Sequence, residues 1–150
     1  NNIGADDAYE ISILLESKAA ALASINALNA DIDKLIMINA EMLKSEKNKP
    51  KRIRLDVEFH KLIGSLSNNP LLEIFINSMT DLRIMAITKA IQTEGGSQDG
   101  INYHNRIIDA IKVHDPVLAS ETMKEHLIES RKRHNCAFGG RVNEKHSSNL

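Results

Sequence analysis

The chain has 150 residues, of which 42% are apolar but only 3% aromatic, with no Trp. That is enough for one domain with a sizeable core, and a core of Leu, Ile, Ala and Met suits helix packing better than a sheet. The net charge of −1 excludes a global basic field for nucleic acid. The absence of a long apolar run or signal-peptide pattern excludes a membrane span and points to a cytoplasmic protein.

Periodicity and breakers predict six helices, packed as an all-α antiparallel bundle. The first covers about 6 to 28, with Ile11, Leu14, Leu15, Leu22 and Ile25 as its expected inward stripe. Asn29 to Asp31 then supplies a stop and a new cap. The second carries Ile32, Leu35, Ile36, Ile38, Met42 and Leu43, and turns charged around Pro50. The third runs from about 52 to 66. Leu55, Phe59, Leu62 and Leu66 form its apolar stripe, and Asp56, His60 and Ile63 lie on the stripe beside it.

Pro70 opens the fourth helix, which extends to about 93 with Leu72, Phe75, Met79, Leu82 and Ala86 in phase. The run from Gly95 to Gly100 is the strongest breaker. The fifth helix covers about 101 to 114, with His104, Ile107, Ile108 and Ile111 on one face. Asp115-Pro116 begins the sixth, where Leu118, Thr122, Met123, His126 and Leu127 face inward. The folded domain is expected over 6–136, with a flexible tail over 137–150. The lone Cys136 fits a reducing compartment and lies in a polar stretch. The chain opens on Asn1 rather than Met, which leaves room for a partner domain upstream.

Four residues carry the chemistry. Asp56 and His60 sit one helical turn apart and project together. His104 and His126 each stand eleven residues from Asp115, so an antiparallel turn there brings them to one height. Any one of these His reads first as a satisfied core residue. Three of them in the apolar stripes of three helices, with an acid beside one, read as a divalent-metal site. Burying Asp56 alone costs several kcal/mol, roughly the penalty of an unpaired buried charge. A cation with neutral imidazoles removes that penalty. His114 reads as a helix C-terminal residue, and His134 and His146 as polar-tail residues. A straight fourth helix leaves His60 and His104 about 15 Å apart in height. It must therefore cross obliquely, bend or be shorter.

Four protein ligands close a tetrahedral ion, whereas a six-coordinate ion keeps two positions for a ligand. A hydrolase needs a free general base, and Asp56 is already a ligand. There is no Glu-x-x-His pair for a di-iron bundle and no phosphate loop at Gly95-Gly96. A ligand sensor, a small metal-dependent hydrolase and a metal-stabilised dimerisation module all stay open on these residues.

The chain also resembles a known family. Tyr9-Glu10 and Leu15-Glu16 are followed by an Ala-rich run at 19–23. Phe59 precedes the His of the Asp56–His60 pair. Ser67, Asn69 and Leu72 form a turn element. His104, Ile107, Ala110 and Ile111 are followed by Asp115, Ala119, Met123, His126 and Leu127. Together these elements resemble the C-terminal effector-binding (FCD) domain of FadR-type regulators in the GntR family of bacterial transcription factors. Six helices suit its shorter, VanR-like branch.

The resemblance implies a metal held by Asp56, His60, His104 and His126, with Zn or Ni favoured and Mn also possible. It implies a small organic acid as effector, a homodimer, and DNA contact only through an N-terminal winged helix-turn-helix domain absent from this chain. Ser12 stands where many members carry an effector-binding Arg, a departure that bears on which acid fits. Arg83 matches a frequent family Arg. It reads either as a carboxylate clamp or as a surface Arg paired with a neighbouring acid. Arg83, Asn69 and Ser12 are the expected effector contacts.

Overall fold

The computed structural model describes residues 4–139. Among them are seven α-helices: α1 Ala5–Asn26, α2 Asn29–Lys44, α3 Lys49–Leu66, α4 Pro70–Ser78, α5 Thr80–Ala90, α6 Gly96–Lys112 and α7 Pro116–Gly139. The expected six become seven because the fourth helix breaks at Met79. Its φ of −89° and ψ of 8° leave the helical region. The break follows from the run Asn77-Ser78-Met79-Thr80. The Ser78 and Thr80 hydroxyls donate back to the carbonyls of Phe75 and Asn77, an alternative to the helical ladder. Here the chain bends, one of the three remedies for the height mismatch. The ground for the VanR-like branch, six helices, goes with the correction.

α1 packs mainly on α7, and its inward face is not the expected one. Ala8, Tyr9, Ser12, Glu16, Ala19, Ala20 and Ala23 are buried, whereas Ile11, Leu14 and Ile25 are exposed. Small side chains let the two helix axes approach. α3 sits as its stripes predict. Phe59 and Ile63 join Leu35, Ile107, Ile111, Met123 and Leu127 in the main core, and Asp56 and His60 are buried beside them. In α4 the phase moves by one residue: Ile76 is buried and Phe75 exposed. Leu118 in α7 is also exposed, with Ala119 buried in its place.

The Gly95-Gly96 breaker occupies a single corner. Gly95 takes φ 72°, and a Cβ on Gly96 would stand 2.3 Å from the Ala90 carbonyl oxygen. Gly96 onward is already helical, so α6 starts five residues before the predicted 101. Residues 113–115 turn α6 into α7. Asp115 Oδ1 accepts from Leu118 N–H, and His114 takes φ 55° with its Nδ1 2.8 Å from the Ser24 carbonyl oxygen.

α7 outruns the expected domain end. Arg131 Nε donates to Asp6 at 2.6 Å, Arg133 pairs with Asp99 and Glu129, and His134 is buried against the Tyr9 ring. His134 is thus a core residue, not a tail residue. Residues 137–139 continue α7, and 140–150 of the expected tail, with His146, lie outside the described residues.

Candidate metal centre

Three helices bring Asp56, His60, His104 and His126 together. α3 supplies the first two from successive turns, α6 supplies His104 and α7 supplies His126. Each offers a ligand atom, and all four atoms lie within 4.8 Å of one another. His60 Nε2 faces His126 Nε2 at 3.3 Å, and His104 Nε2 faces Asp56 Oδ1 at 3.4 Å. His60 Nε2 stands 4.0 Å from the same oxygen. An ion with bonds of 2.0–2.1 Å spaces adjacent ligand atoms about 3.0–3.4 Å apart, so the shorter contacts match one shared cation. The equal spacing about Asp115 has the expected effect: the His104 and His126 ring centroids are 4.9 Å apart. Phe59 stacks on His104 at 3.9 Å and fixes its plane.

Electrostatics favour a cation here. All four side chains are buried. Burial holds His104 and His126 well below the ordinary imidazole range, with the neighbouring His rings and Arg83 adding to it. Both rings are therefore neutral near pH 7, the form a metal takes. Burial raises the Asp56 carboxyl despite His60 and Arg83. Asp56 Oδ2 and both ring nitrogens of His104 are buried without a hydrogen-bond partner. Such orphans are costly in a closed core. An ion bound between His104 Nε2 and Asp56 Oδ1 gives that ring nitrogen a partner and offsets the carboxylate charge, while Asp56 Oδ2 lies on the Arg83 side. The residues therefore fit a divalent metal.

Glu16 is the site residue that sequence reading missed. It is 3% exposed. His60 Nδ1–H donates to its Oε2 at 2.5 Å, and Arg83 donates to its Oε1. Although burial opposes ionisation, Arg83 and His60 hold its carboxyl well below the usual range. A signal was present: Tyr9, Ser12, Glu16 and Ala19 share a helical stripe, but the larger residues of the next stripe masked it.

Arg83 is neither a free clamp nor a surface residue. Its side chain is 14% exposed, ion-paired to Glu16, and its Nη1 lies 3.6 Å from Asp56 Oδ2. Ser12 is buried with it along a narrow cavity of about 30 Å3 over the cluster, lined also by Tyr9, His126 and Ser130. That volume holds roughly one or two waters. Asn69 is spent elsewhere: its Oδ1 accepts from the Leu71 and Leu72 N–H groups and caps α4. A second cavity of similar size also reaches the cluster, lined by Arg52, Asp56, Ser97, Tyr103 and His126. Cys136 is exposed on α7, away from both.

Comparison with known proteins places the chain in a family. The chain is 29% identical over 142 residues to the HTH-type transcriptional repressor NanR of Escherichia coli (strain K12), covering 91% of this chain and 52% of that protein. It is 28% identical over 123 residues to the repressor of the same name from Citrobacter rodentium, covering 79% of this chain and 46% of that protein. The chain thus spans about half the length of the curated relatives it matches, which are named as repressors and not as enzymes.

Among solved structures, a Streptococcus agalactiae GntR protein superposes with TM-score 0.75 at 23% identity, over 85% of this chain and 58% of that one. E. coli McbR/YncC superposes with TM-score 0.71 at 17% identity, over 90% of this chain and 68% of that one. These two show the fold. No helix among the described residues is long and apolar enough to cross a membrane. Residues 7–129 match the FCD domain family, and the chain belongs to it.

Proposed function

We propose that this chain is the effector-sensing domain of a bacterial transcription regulator, working in the cytoplasm. In this reading it holds a divalent metal and a small organic acid at one site. The observation that carries the reading is the buried set Asp56, His60, His104 and His126, whose ligand atoms converge while His104 Nε2 has no hydrogen-bond partner. Imidazole-rich donors favour Zn or Ni over Mn, with availability deciding occupancy. Arg83 and Ser12, at the cavity over the metal, are the proposed acid contacts, and Tyr9 and Ser130 line the same space. Asn69 is better accounted for as a helix cap. The narrow cavity, with room for roughly one or two waters, must widen to admit an acid. α5, a short helix set off by the Met79 break, is the element placed to move.

Binding of the acid changes the helix arrangement and so the grip on an operator of a DNA-binding domain carried elsewhere in the full-length regulator. That is linkage between two sites through one conformational equilibrium. The names of the curated relatives support this step. Glu16, the acid nearest the cluster that is not itself a ligand, has both oxygens engaged, which speaks against a general base and hence against a hydrolase.

Elemental analysis of protein purified without added metal tests the reading. About one equivalent of a divalent transition metal is expected, falling below a tenth in His104→Ala. Less than a tenth in the wild type sinks the metal. Thermal shift with a panel of small carboxylates, with and without chelator, tests the effector. A binder raises stability by RT ln(1 + [L]/Kd) only when metal is loaded. A metal-loaded protein indifferent to every acid is a dimerisation module instead.

A further inference from the structure

Glu16 joins two groups that the proposed function assigns separate tasks. One carboxylate oxygen accepts from His60 Nδ1–H at 2.5 Å, and the other is ion-paired with Arg83. Arg83 in turn reaches Asp56 Oδ2 at 3.6 Å. The three helices α1, α3 and α5 are thereby closed into a ring around the cluster. Two consequences follow from these contacts.

The hydrogen bond to Glu16 occupies Nδ1 of His60 and leaves its Nε2 facing His126 and Asp56, the nitrogen a metal would take. A carboxylate behind a ligating imidazole fixes its orientation and raises its basicity. At the same time the Arg83 guanidinium, lining the cavity above the cluster, is already occupied by a carboxylate of the protein itself. A foreign carboxylate that seeks the same fork meets Glu16 in its place.

We propose that Glu16 has two opposed effects: it is the positioning residue for the metal ligand His60, and it is an internal competitor for the effector's carboxylate at Arg83. The proposal rests on the effector reading above. It makes Glu16 the setting for acid affinity. An acid binds only when it pairs with Arg83 better than Glu16 does, and a weak acid that also coordinates the metal gains the advantage. Glutamine is the informative replacement. It keeps the size of Glu16 but offers one acceptor oxygen where the carboxylate offers two. That oxygen can serve His60 or Arg83, and the amide nitrogen repels the guanidinium.

The test titrates the 150-residue chain with Co2+, read by its absorption bands, and then titrates the Co2+-loaded protein with acetate, a small monocarboxylate. Glu16→Gln should weaken Co2+ binding about tenfold, the lower end for losing a partner behind a metal ligand. It should strengthen acetate binding about tenfold, an ordinary coupling. Glu16→Asp, which keeps the charge, should restore most of the Co2+ affinity. A purely structural Glu16 lowers both affinities in Glu16→Gln, and that result, or no change in either, overturns the proposal.

Failure of the underlying reading shows differently, as wild-type protein that takes up neither Co2+ nor acetate, and it removes this proposal with it. If the glutamine variant does not fold, wild-type protein loaded with Zn2+ carries the test by proton NMR. A far-downfield His60 ring N–H that moves when acetate is added supports the proposal. Its absence, or its indifference to acetate, overturns it.

Discussion

Asp56 is a residue the folded chain holds at a cost. Its carboxyl is buried and raised above the usual range, and one oxygen has no hydrogen-bond partner. Without metal, a group so placed destabilises the fold, so Asp56→Asn should stabilise the chelated protein by about 1 kcal/mol at pH 7.5. The same change should abolish the gain in melting temperature on adding Zn2+. A chelated variant less stable than the wild type would mean that Arg83 alone satisfies the carboxylate.

His104 and His126 set the pH dependence. Both are depressed by burial from an ordinary value of 6.5. Below that value the unfolded chain binds protons that the folded rings refuse, so stability falls as pH drops, by up to about 1.4 kcal/mol per pH unit per ring. Asp56 acts in the opposite sense above 3.8, but it is one group against two. Urea unfolding of chelated protein at pH 7.5, 6.5 and 5.5 measures the slope. A flat profile would remove the claim that the rings are buried neutral. That Asp56, His60, His104 and His126 come together was legible in the sequence because their spacing encodes it: four apart on one helix, and eleven either side of a turn. Glu16 was missed because the stripe it shares with Tyr9, Ser12 and Ala19 is weaker in apolar character than the Leu- and Ile-rich stripe beside it.

At the scale of elements, reading failed where size misled about direction. In α1 three of the five expected residues, Ile11, Leu14 and Ile25, point outward while Ala19, Ala20 and Ala23 are buried, because a helix pressed closely on α7 leaves little room for large side chains. Ala20 is fully buried, and Ala20→Leu should cost about 1–3 kcal/mol by overpacking. Leu14 is 66% exposed, so Leu14→Ala should change the unfolding free energy of the monomer by less than about 0.5 kcal/mol. Equilibrium denaturation of the two variants checks both, and the reverse order would restore the original face assignment. The break at Met79 was half legible. The height mismatch between His60 and His104 demanded some departure from a straight fourth helix. No Gly or Pro marks the place, and the hydroxyl bonds of Ser78 and Thr80 become visible only in the fold.

At the scale of the whole molecule, the bundle and its core were readable from helical periodicity, but a sequence does not say which apolar residues stay outside. α4 makes the question acute. It is a nine-residue helix that buries only Ile76, while Leu71, Ile74 and Phe75 are each more than half exposed. These three lie three and four residues apart, on one side of the helix. α1, which touches α4, leaves Ile11, Leu14 and Ile25 exposed as well. Exposed apolar side chains clustered on one side of a helix mark an interaction surface. A second copy of the chain is the occupant we propose, since the family resemblance implies a homodimer, and an isologous contact lets one such patch cover its own copy.

A stable dimer of this kind buries about 800 Å2 per partner, more than a nine-residue helix supplies alone, so α1 must contribute. Light scattering behind size exclusion decides it. The wild type should run at twice the 16.7 kDa chain mass. Leu71→Glu with Phe75→Glu should run as a monomer with unchanged Zn2+ stoichiometry, because neither residue lines the cavities at the metal cluster. A dimer that survives both substitutions would place the interface on another face.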